Sequence, residues 1–107
     1  MAQARTSRVS GLVEMVILRC LAEREMYGYE LVQAVHERTN GEIELREGLL
    51  YPLLNHLTVA GRLKRRREVV DGRPRVYYRL TPKGRVHFEA LREEWGRMVR
   101  AVRQVLA

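Results

Sequence analysis

The sequence predicts a mainly α-helical fold that carries one small β-hairpin and ends in a long helix. Most of the apolar residues recur at every third or fourth position, which is the period of an amphipathic helix. Asp71-Gly72 is a two-residue turn signal between two runs that alternate like strands. At 107 residues the chain is one domain, and domains of this size often gain stability by association.

The first helix is predicted over residues 11–23, with Ser10 as its N-cap. Residues 1–9 are small, polar and basic, and we expect them to form a flexible arm. The apolar positions of the helix lie almost all the way round it, so more than one neighbour must cover it. One side can pack on the domain's own core, and a second subunit can cover the other. The residues assigned to that second contact are Leu12, Met15 and Val16.

A second helix is predicted over about residues 27–39, ended by the Asn-Gly pair at 40–41, where both residue types tolerate positive φ. Residues 25–26 are expected to form the turn that precedes it. The alternating segment 42–46 is expected to form a very short strand.

A third helix is predicted over about residues 48–60, with Pro52 in its first turn and Gly61 as its stop. Its buried stripe is predicted to comprise Leu50, Leu53, Leu54 and Leu57. The residues expected on the opposite side are Leu49, Tyr51, Asn55 and His56. We expect contacts with a partner on this exposed side.

The β-hairpin predicted within residues 61–80 holds most of the net positive charge. This segment carries eight of the 20 Lys and Arg residues against two acidic residues, in a chain of formal net charge +7. Residues 10–61, in contrast, hold eight Glu and four Arg. A rigid ribbon that bears arginines suits a polyanion with regular grooves better than a small acidic substrate. The charge distribution therefore predicts one directed basic face for nucleic acid.

The last helix is predicted to begin at Thr81-Pro82, a hydroxyl cap followed by proline, and to run to about residue 105. Its apolar residues are spaced 3, 4, 3, 4 and 3 apart, as in a coiled-coil seam: Phe88, Leu91, Trp95, Met98, Val102 and Val105. A helix of about 36 Å is too long for this small domain to cover alone. The seam, with the surplus apolar face of the first helix, predicts a homodimer.

The order of these elements is that of a winged helix-turn-helix. We assign residues 1–9 to the arm, 10–81 to the winged-helix domain and 82–107 to a C-terminal dimerisation helix. In this architecture the third helix enters the major groove of double-stranded DNA, and the wing contacts phosphates or a minor groove. The predicted DNA contacts are Tyr27, Leu49, Tyr51, Asn55, His56, Lys64, Arg65, Arg66, Arg67, Arg73, Arg75 and Tyr77.

Several motifs in fixed order resemble the PadR-like transcriptional regulators over about residues 12–85. They are Tyr-Gly-Tyr-Glu-Leu at 27–31, Gly-Leu-Leu-Tyr-Pro-Leu-Leu at 48–54, and the wing sequence at 72–84. The single C-terminal helix is similar to that of the smaller branch of the family.

The resemblance implies a homodimer that binds an operator, usually as a repressor, and that dimerises through its first and last helices. It also implies that Tyr51 and the wing residues Arg73, Arg75 and Tyr77 take part in DNA binding. Leu49 departs from the Ser or Thr that is common in the family. Leucine offers no hydroxyl there, although it can contact a thymine methyl group.

Trp95 is the only tryptophan and lies in the middle of the seam. One interpretation is packing between two subunits. The other is a planar apolar small-molecule effector stacked on paired tryptophans, with Met15 and Met98 lining the cavity. The resemblance permits the second interpretation, because some small PadR-like regulators bind drugs through a tryptophan on this helix.

The remaining reactive residues predict neither catalysis nor a metal site, and no cofactor is predicted. His36, His56 and His87 lie far apart without metal-ligand spacing, and the lone Cys20 is expected to be a small buried hydrophobic residue. Without a long apolar run, the chain is expected to be cytoplasmic and free of membranes. A function of another class stays open, in which the winged helix is a protein-interaction module whose basic wing docks an acidic partner.

Overall fold

The structure is a computed structural model that describes the backbone of residues 2–107 and the side chains of residues 11–107. Four helices and a small antiparallel sheet make up the described part, and the sheet has the strand order β1-β3-β2. The elements are α1 (Ala2–Glu23), β1 (Met26–Tyr27), α2 (Gly28–Arg38), α3 (Glu47–Val59), β2 (Leu63–Val70), β3 (Arg73–Leu80) and α4 (Pro82–Leu106). The prediction of a mainly helical winged helix-turn-helix with a long last helix is confirmed.

The core lies between α1, α2 and α3 and is closed by one face of the sheet. Its fully buried side chains are Ile17, Leu18, Leu31, Leu50, Leu54 and Leu57, each with no exposed surface. Met26, Leu63 and Tyr78 cover this cluster from the three strands. Burial of one such side chain stabilises the fold by about 1.5–3 kcal/mol, so the leucine repeat of α3 is fixed facing inward.

Helix α1 begins at Ala2, so the prediction of a start at residue 11 with a Ser10 cap is wrong. The residues before Gly11 include good helix formers and no proline, and nothing in the sequence stops the helix there. Gly11 lies inside the helix, where a Cβ would make ordinary contact with Leu91 of α4 at 3.6 Å. Met1 and the side chains of residues 2–10 lie outside the described residues, and the mobility expected of the arm stays a prediction.

The short strand lies at β1 and not at residues 42–46, so that prediction is wrong, as is the turn expected at residues 25–26. Met26 and Tyr27 pair with Tyr78 and Tyr77 on the open edge of β3. A strand of two residues is too short to show alternation in the sequence. Alternation at residues 42–46 has another cause, because Leu45 is buried in the core while its neighbours are more exposed.

The turns and caps predicted for the second half of the chain are confirmed. Asp71 and Gly72 have φ values of 52° and 76°, as a two-residue hairpin turn of type I′ requires. The Thr81 hydroxyl accepts a hydrogen bond of 3.0 Å from the backbone N–H of Gly84 and donates one of 2.7 Å to the carbonyl of Gly61. The start of α4 is therefore fastened to the segment that leads from α3 into the wing.

Candidate nucleic-acid interface

Helix α3 turns one face to the core and the opposite face to solvent. Leu50, Leu54 and Leu57 fill the buried face, as predicted, and Leu53, predicted with them, is only partly buried. The centre of the exposed face is a stripe at i, i+4, i+7 and i+11 that comprises Gly48, Pro52, Asn55 and Val59. The other predicted residues, Leu49, Tyr51 and His56, flank this stripe and are also exposed. The predicted face is thus brought together on one side of one helix.

Pro52 is the sixth residue of α3, not a residue of its first turn, so that prediction is wrong. Proline has no N–H, and the carbonyl of Gly48 therefore receives no helical hydrogen bond from position 52. Both residues are exposed, which leaves this carbonyl as an acceptor on the helix surface. The sequence analysis did not assign Gly48, Pro52 and Val59 to the exposed face of α3. Their helical spacing from Asn55 could have placed them there.

The chemistry of this face is mostly apolar. The 13 residues of α3 include no Lys or Arg, and Asn55 and His56 are the groups on its exposed side best suited to bonding base edges. An asparagine amide can bond adenine at two positions, whereas an aliphatic side chain can contact the methyl group of thymine. The side chains of this helix can therefore distinguish A·T pairs from G·C pairs. The arginines, whose guanidinium groups can bond guanine, all lie outside α3.

Tyr51 joins the exposed face of α3 to the start of α2. Its phenol ring lies so close to Gly28 that a Cβ on that residue would collide with the ring and its hydroxyl. Partial burial and the nearby Glu47 raise the pKa of Tyr51, so its hydroxyl stays protonated and can donate a hydrogen bond at neutral pH. Gly28 is therefore required by this contact, and Tyr51 is at once a packing residue and a half-exposed donor.

Tyr27 lies in an aromatic and cationic cluster at the root of the wing. Its ring makes an edge contact with the ring of Tyr77, with 5.3 Å between centroids. The guanidinium of Arg75 lies 4.5 Å from the Tyr27 centroid, and that of Arg66 lies 4.6 Å from the Tyr77 centroid. Each of these two arginines, both predicted to contact DNA, thus stacks on a tyrosine that was also predicted to contact DNA. Both pairs lie on the same face of the sheet.

Arg66 also anchors the wing to the short segment between α1 and β1. Its Nε and Nη2 atoms donate to the carboxylate of Glu25 at 3.0 and 2.6 Å, and Glu68 lies 3.3 Å from its Nη1. The same contact lowers the pKa of Glu25 and raises that of Arg66, because each charged form is stabilised by the other. The Nε–H and one Nη2–H of Arg66 are therefore already bonded to Glu25, and fewer N–H groups remain to bind a phosphate.

Apart from Arg75, which stacks on Tyr27, the cations of the wing that have no ion pair with the described part of the chain are Lys64, Arg65, Arg67, Arg73 and Arg79. All five side chains are exposed. Arg65 and Arg67 lie on one face of the ribbon, since they pair with Tyr78 and Val76, and the other three lie on the opposite face. Arg79 was absent from the predicted contacts, although its pairing with Lys64 across the hairpin could have indicated it.

The base of the wing is linked to α1 and α4 through His87. The Nε2 atom of His87 lies 2.8 Å from Glu14 Oε2 and 3.1 Å from Arg62 Nη1. One ring nitrogen can either donate to the carboxylate or accept from the guanidinium, so the two contacts are alternatives. Arg62 immediately precedes β2, which places this contact where the wing leaves the body of the protein.

The predicted dimer seam divides into a buried and an exposed part. Phe88 is only 4% exposed in the single chain and belongs to its own core, so its assignment to a dimer surface is corrected. Leu12, Met15, Val16, Leu91 and Met98 are half-buried, mostly between α1 and α4. Trp95, Val102 and Val105 are exposed, together with Leu106 at the end of the same stripe. The exposed part of the predicted seam therefore lies in the second half of α4.

A groove of about 400 Å³ opens between α1, α2 and α4. It is lined by Met15 and Trp95, two of the three residues predicted for a ligand, while Met98 lies outside its lining. Cys20 lies in its wall as a buried thiol, and burial raises the pKa of that thiol. In the described residues no group of three or more metal-ligating side chains occurs, and no helix there is long and apolar enough to cross a membrane.

Comparison with known proteins gives a consistent result. Residues 17–90 match the family model "Transcriptional regulator PadR-like family". The chain is 37% identical over 94 residues to the transcriptional regulator Rv3488 of Mycobacterium tuberculosis, covering 88% of this chain and 82% of that protein. Among solved structures, a transcriptional regulator from Clostridium thermocellum has a TM-score of 0.85 at 28% identity and covers 91% of this chain and 95% of its own. A PadR family regulator from Eggerthella lenta has a TM-score of 0.80 at 28% identity and covers 98% and 89%.

Proposed function

Because the chain belongs to the PadR-like family of transcriptional regulators, which are not enzymes, we propose that it represses transcription in the cytoplasm by binding a pseudo-palindromic operator as a homodimer. The observation that carries this proposal is the exposed face of α3, which lies beside a wing with five exposed cations that lack ion pairs with the described residues. The exposed face of the helix suits the base edges in the major groove of a duplex, and the adjacent basic wing suits the phosphates or a minor groove.

In this proposal α3 enters the major groove and supplies sequence preference. Asn55 bonds an adenine edge, and Leu49, Pro52 and Val59 contact thymine methyl groups. Tyr51 donates to a phosphate or a base edge from the flank of the helix. The expected half-site is rich in A·T pairs, because α3 carries no guanidinium to read guanine.

The wing supplies affinity that depends little on sequence. Lys64, Arg65, Arg67, Arg73 and Arg79 neutralise phosphates or enter a minor groove, while Arg66 and Arg75 hold the wing in place through their contacts with Glu25 and Tyr27. If the two wings of a dimer neutralise about six phosphates, the logarithm of the binding constant falls with a slope near −5 against the logarithm of salt concentration, at ~0.9 per phosphate.

Dimerisation is supported by the apolar stripe of Trp95, Val102, Val105 and Leu106, which is exposed in the single chain. Two protomers that pair along α4 place two copies of α3 on one side of the assembly, and about one helical turn of DNA, ~34 Å, then separates the half-sites. An effector bound near Trp95 and Met15, which line the groove, would change that separation.

The experiment that tests the function is selection of bound sequences from a random duplex pool at physiological salt. We expect enrichment of two A·T-rich half-sites related by a two-fold axis. Asn55→Ala should relax the preference at one position per half-site, whereas Arg67→Ala should weaken all sequences alike. If no sequence is enriched, and binding is shallow in its salt dependence, the operator proposal is wrong and docking to an acidic protein replaces it.

A further inference from the structure

The exposed stripe of α3 carries the two residue types that are least favourable inside a helix. Gly48 and Pro52 are the second and sixth of its 13 residues, and both are exposed. A Cβ built on Gly48 meets nothing within 4 Å, so no close packing requires a glycine there. Pro52 is exposed, so its ring fills no gap in the core. Local rules that are broken without a packing reason indicate a functional site.

The backbone between these two residues presents a free acceptor. In a regular helix the carbonyl of Gly48 would accept a hydrogen bond from the N–H of residue 52, but proline has no N–H. The proline ring also crowds the carbonyl four residues earlier and bends it away from the helix axis. Among the side-chain donors of residues 11–107, none bonds this oxygen. Gly48 adds no side chain beside it, and the acceptor is therefore open on the helix surface.

This acceptor lies in the half of α3 that contacts base edges in a helix-turn-helix protein, since the N-terminal residues of a recognition helix do so. A carbonyl oxygen can only accept hydrogen bonds. In the major groove the matching donors are the N6 amine of adenine and the N4 amine of cytosine. Guanine and thymine present the acceptors O6 and O4 instead. A carbonyl at this place therefore attracts adenine or cytosine and repels the other two bases.

We infer that the Gly48 carbonyl, which Pro52 leaves free, accepts a hydrogen bond from a base amine and selects adenine or cytosine at one position of each half-site. The inference rests on the proposed function and adds to it a specificity determinant that is main chain and not side chain. Gly48 and Asn55 lie about 10 Å apart along the helix, so they contact different base pairs. A thymine methyl group beside the Pro52 ring is a separate contact, which the experiments below distinguish from the carbonyl.

Pro52→Ala tests the inference from the protein side, because it restores the missing N–H and closes the Gly48 carbonyl within the helix. The variant should melt at or above the wild-type temperature, since alanine is the better helix former. In selection from a random duplex pool, it should lose roughly 3–10-fold of the preference at one position per half-site, as expected for one hydrogen bond. Pro74→Ala makes the same change at an exposed position of the wing and is the matched control, which should keep that preference.

Deletion of the base amine tests the same contact from the DNA side. At the position that the selection identifies, adenine is replaced by purine, or cytosine by 2-pyrimidinone, and each replacement lacks the exocyclic amine. Binding is measured by fluorescence anisotropy. The wild type should lose roughly 3–10-fold in affinity and Pro52→Ala less than about twofold. The altered base pair is common to both proteins, so the double-mutant cycle isolates the contact.

A backbone ester separates the carbonyl from the proline ring. Lactic acid incorporated at position 52, the hydroxy-acid analogue of alanine, removes the ring but supplies no N–H. We expect this protein to keep the wild-type preference, because the Gly48 carbonyl stays free.

Three results would overturn the inference. One is an ester protein that behaves like Pro52→Ala, since the ring would then make the contact. The second is an equal loss on amine deletion in the wild type and in Pro52→Ala. The third is a melting temperature of Pro52→Ala below that of the wild type, since the proline would then serve the fold. In each case an enriched operator leaves the proposed function standing, whereas a chain that enriches no sequence contradicts the proposed function and this inference together.

Discussion

Gly84, in the first turn of α4, is the position where one added methyl group should do most damage. A Cβ built there collides with the backbone carbonyl of Arg62 and comes within 2.7 Å of the Leu80 side chain. A side chain can rotate away from such an overlap, but the carbonyl of Arg62 accepts the backbone N–H of Thr81 and is fixed by the base of the wing. Gly84→Ala must therefore move α4 relative to the wing.

The expected cost follows from two opposing effects. Alanine stabilises a helix interior by up to about 1 kcal/mol relative to glycine. Overpacking of a tight buried site costs about 1–3 kcal/mol and more when the obstacle is backbone. We expect a net loss of ~2 kcal/mol, and since each kcal/mol moves the melting temperature of a domain of this size by roughly 4–8 °C, Tm should fall by about 8 °C or more.

Gly96→Ala is the matched control in the same helix. A Cβ at that position meets only Nη1 of Arg100, at 3.4 Å, which is the far end of a flexible side chain. This variant should be neutral or more stable by up to about 1 kcal/mol. Thermal and urea unfolding followed by circular dichroism measure both. If Gly84→Ala melts at or above the temperature of Gly96→Ala, the close approach of α4 to the wing base is wrong.

Three further predictions concern the wing, the dimer and α3. Glu25 has a lowered pKa in the fold, so its contact with Arg66 stabilises the wing above the ordinary carboxyl pKa of 4.5 and is lost as the pH falls through the lower folded value. The Arg66 Nε–H resonance should report that loss, and Glu25→Gln should abolish the transition; an identical acid transition in the variant would contradict the assignment. Trp95→Asp should shift the chain toward monomer by light scattering, and a dimer as tight as the wild type would refute the seam. Tyr51→Phe should fold normally, because it keeps the ring against Gly28. It should bind the operator roughly 3–10-fold more weakly, because one hydrogen bond is lost. Equal affinity would show that the hydroxyl does not contact DNA.

Local signals in the sequence were sufficient for the hairpin turn, the cap of α4 and the order of the helices. Asp71-Gly72 specifies its turn because both residue types tolerate positive φ. Thr81-Pro82 specifies a helix start because the Thr81 hydroxyl bonds a backbone N–H only three residues later. The leucines of α3 identified its buried face for the same reason, since a helical period is visible within one helix. Features of this kind need no knowledge of what lies across the fold.

Features that depend on distant partners were not predictable. β1 exists only because Met26 and Tyr27 meet the open edge of β3, some fifty residues later in the chain. The stacking of Arg66 and Arg75 on the two tyrosines is equally non-local, and in the sequence both arginines are indistinguishable from Arg67 and Arg73. Periodicity also could not show that Phe88 is buried within its own chain, because one apolar stripe on α4 serves both the core and the exposed surface.

The same helix therefore connects the groove to the wing. α4 is continuous from Pro82 to Leu106, so the half that carries Trp95 and the first turns belong to one helix. Those turns meet the wing base at three points, through Thr81 and Gly61, through Gly84 and the Arg62 carbonyl, and through His87. His87 is placed to register a movement of this helix, because its Nε2 atom can pair with Arg62 or with Glu14 but not with both. Under the proposed function, an effector bound near Trp95 would act through this residue: a displacement of α4 that favours the contact with Glu14 would release Arg62 at the start of β2, next to the exposed cations of the wing.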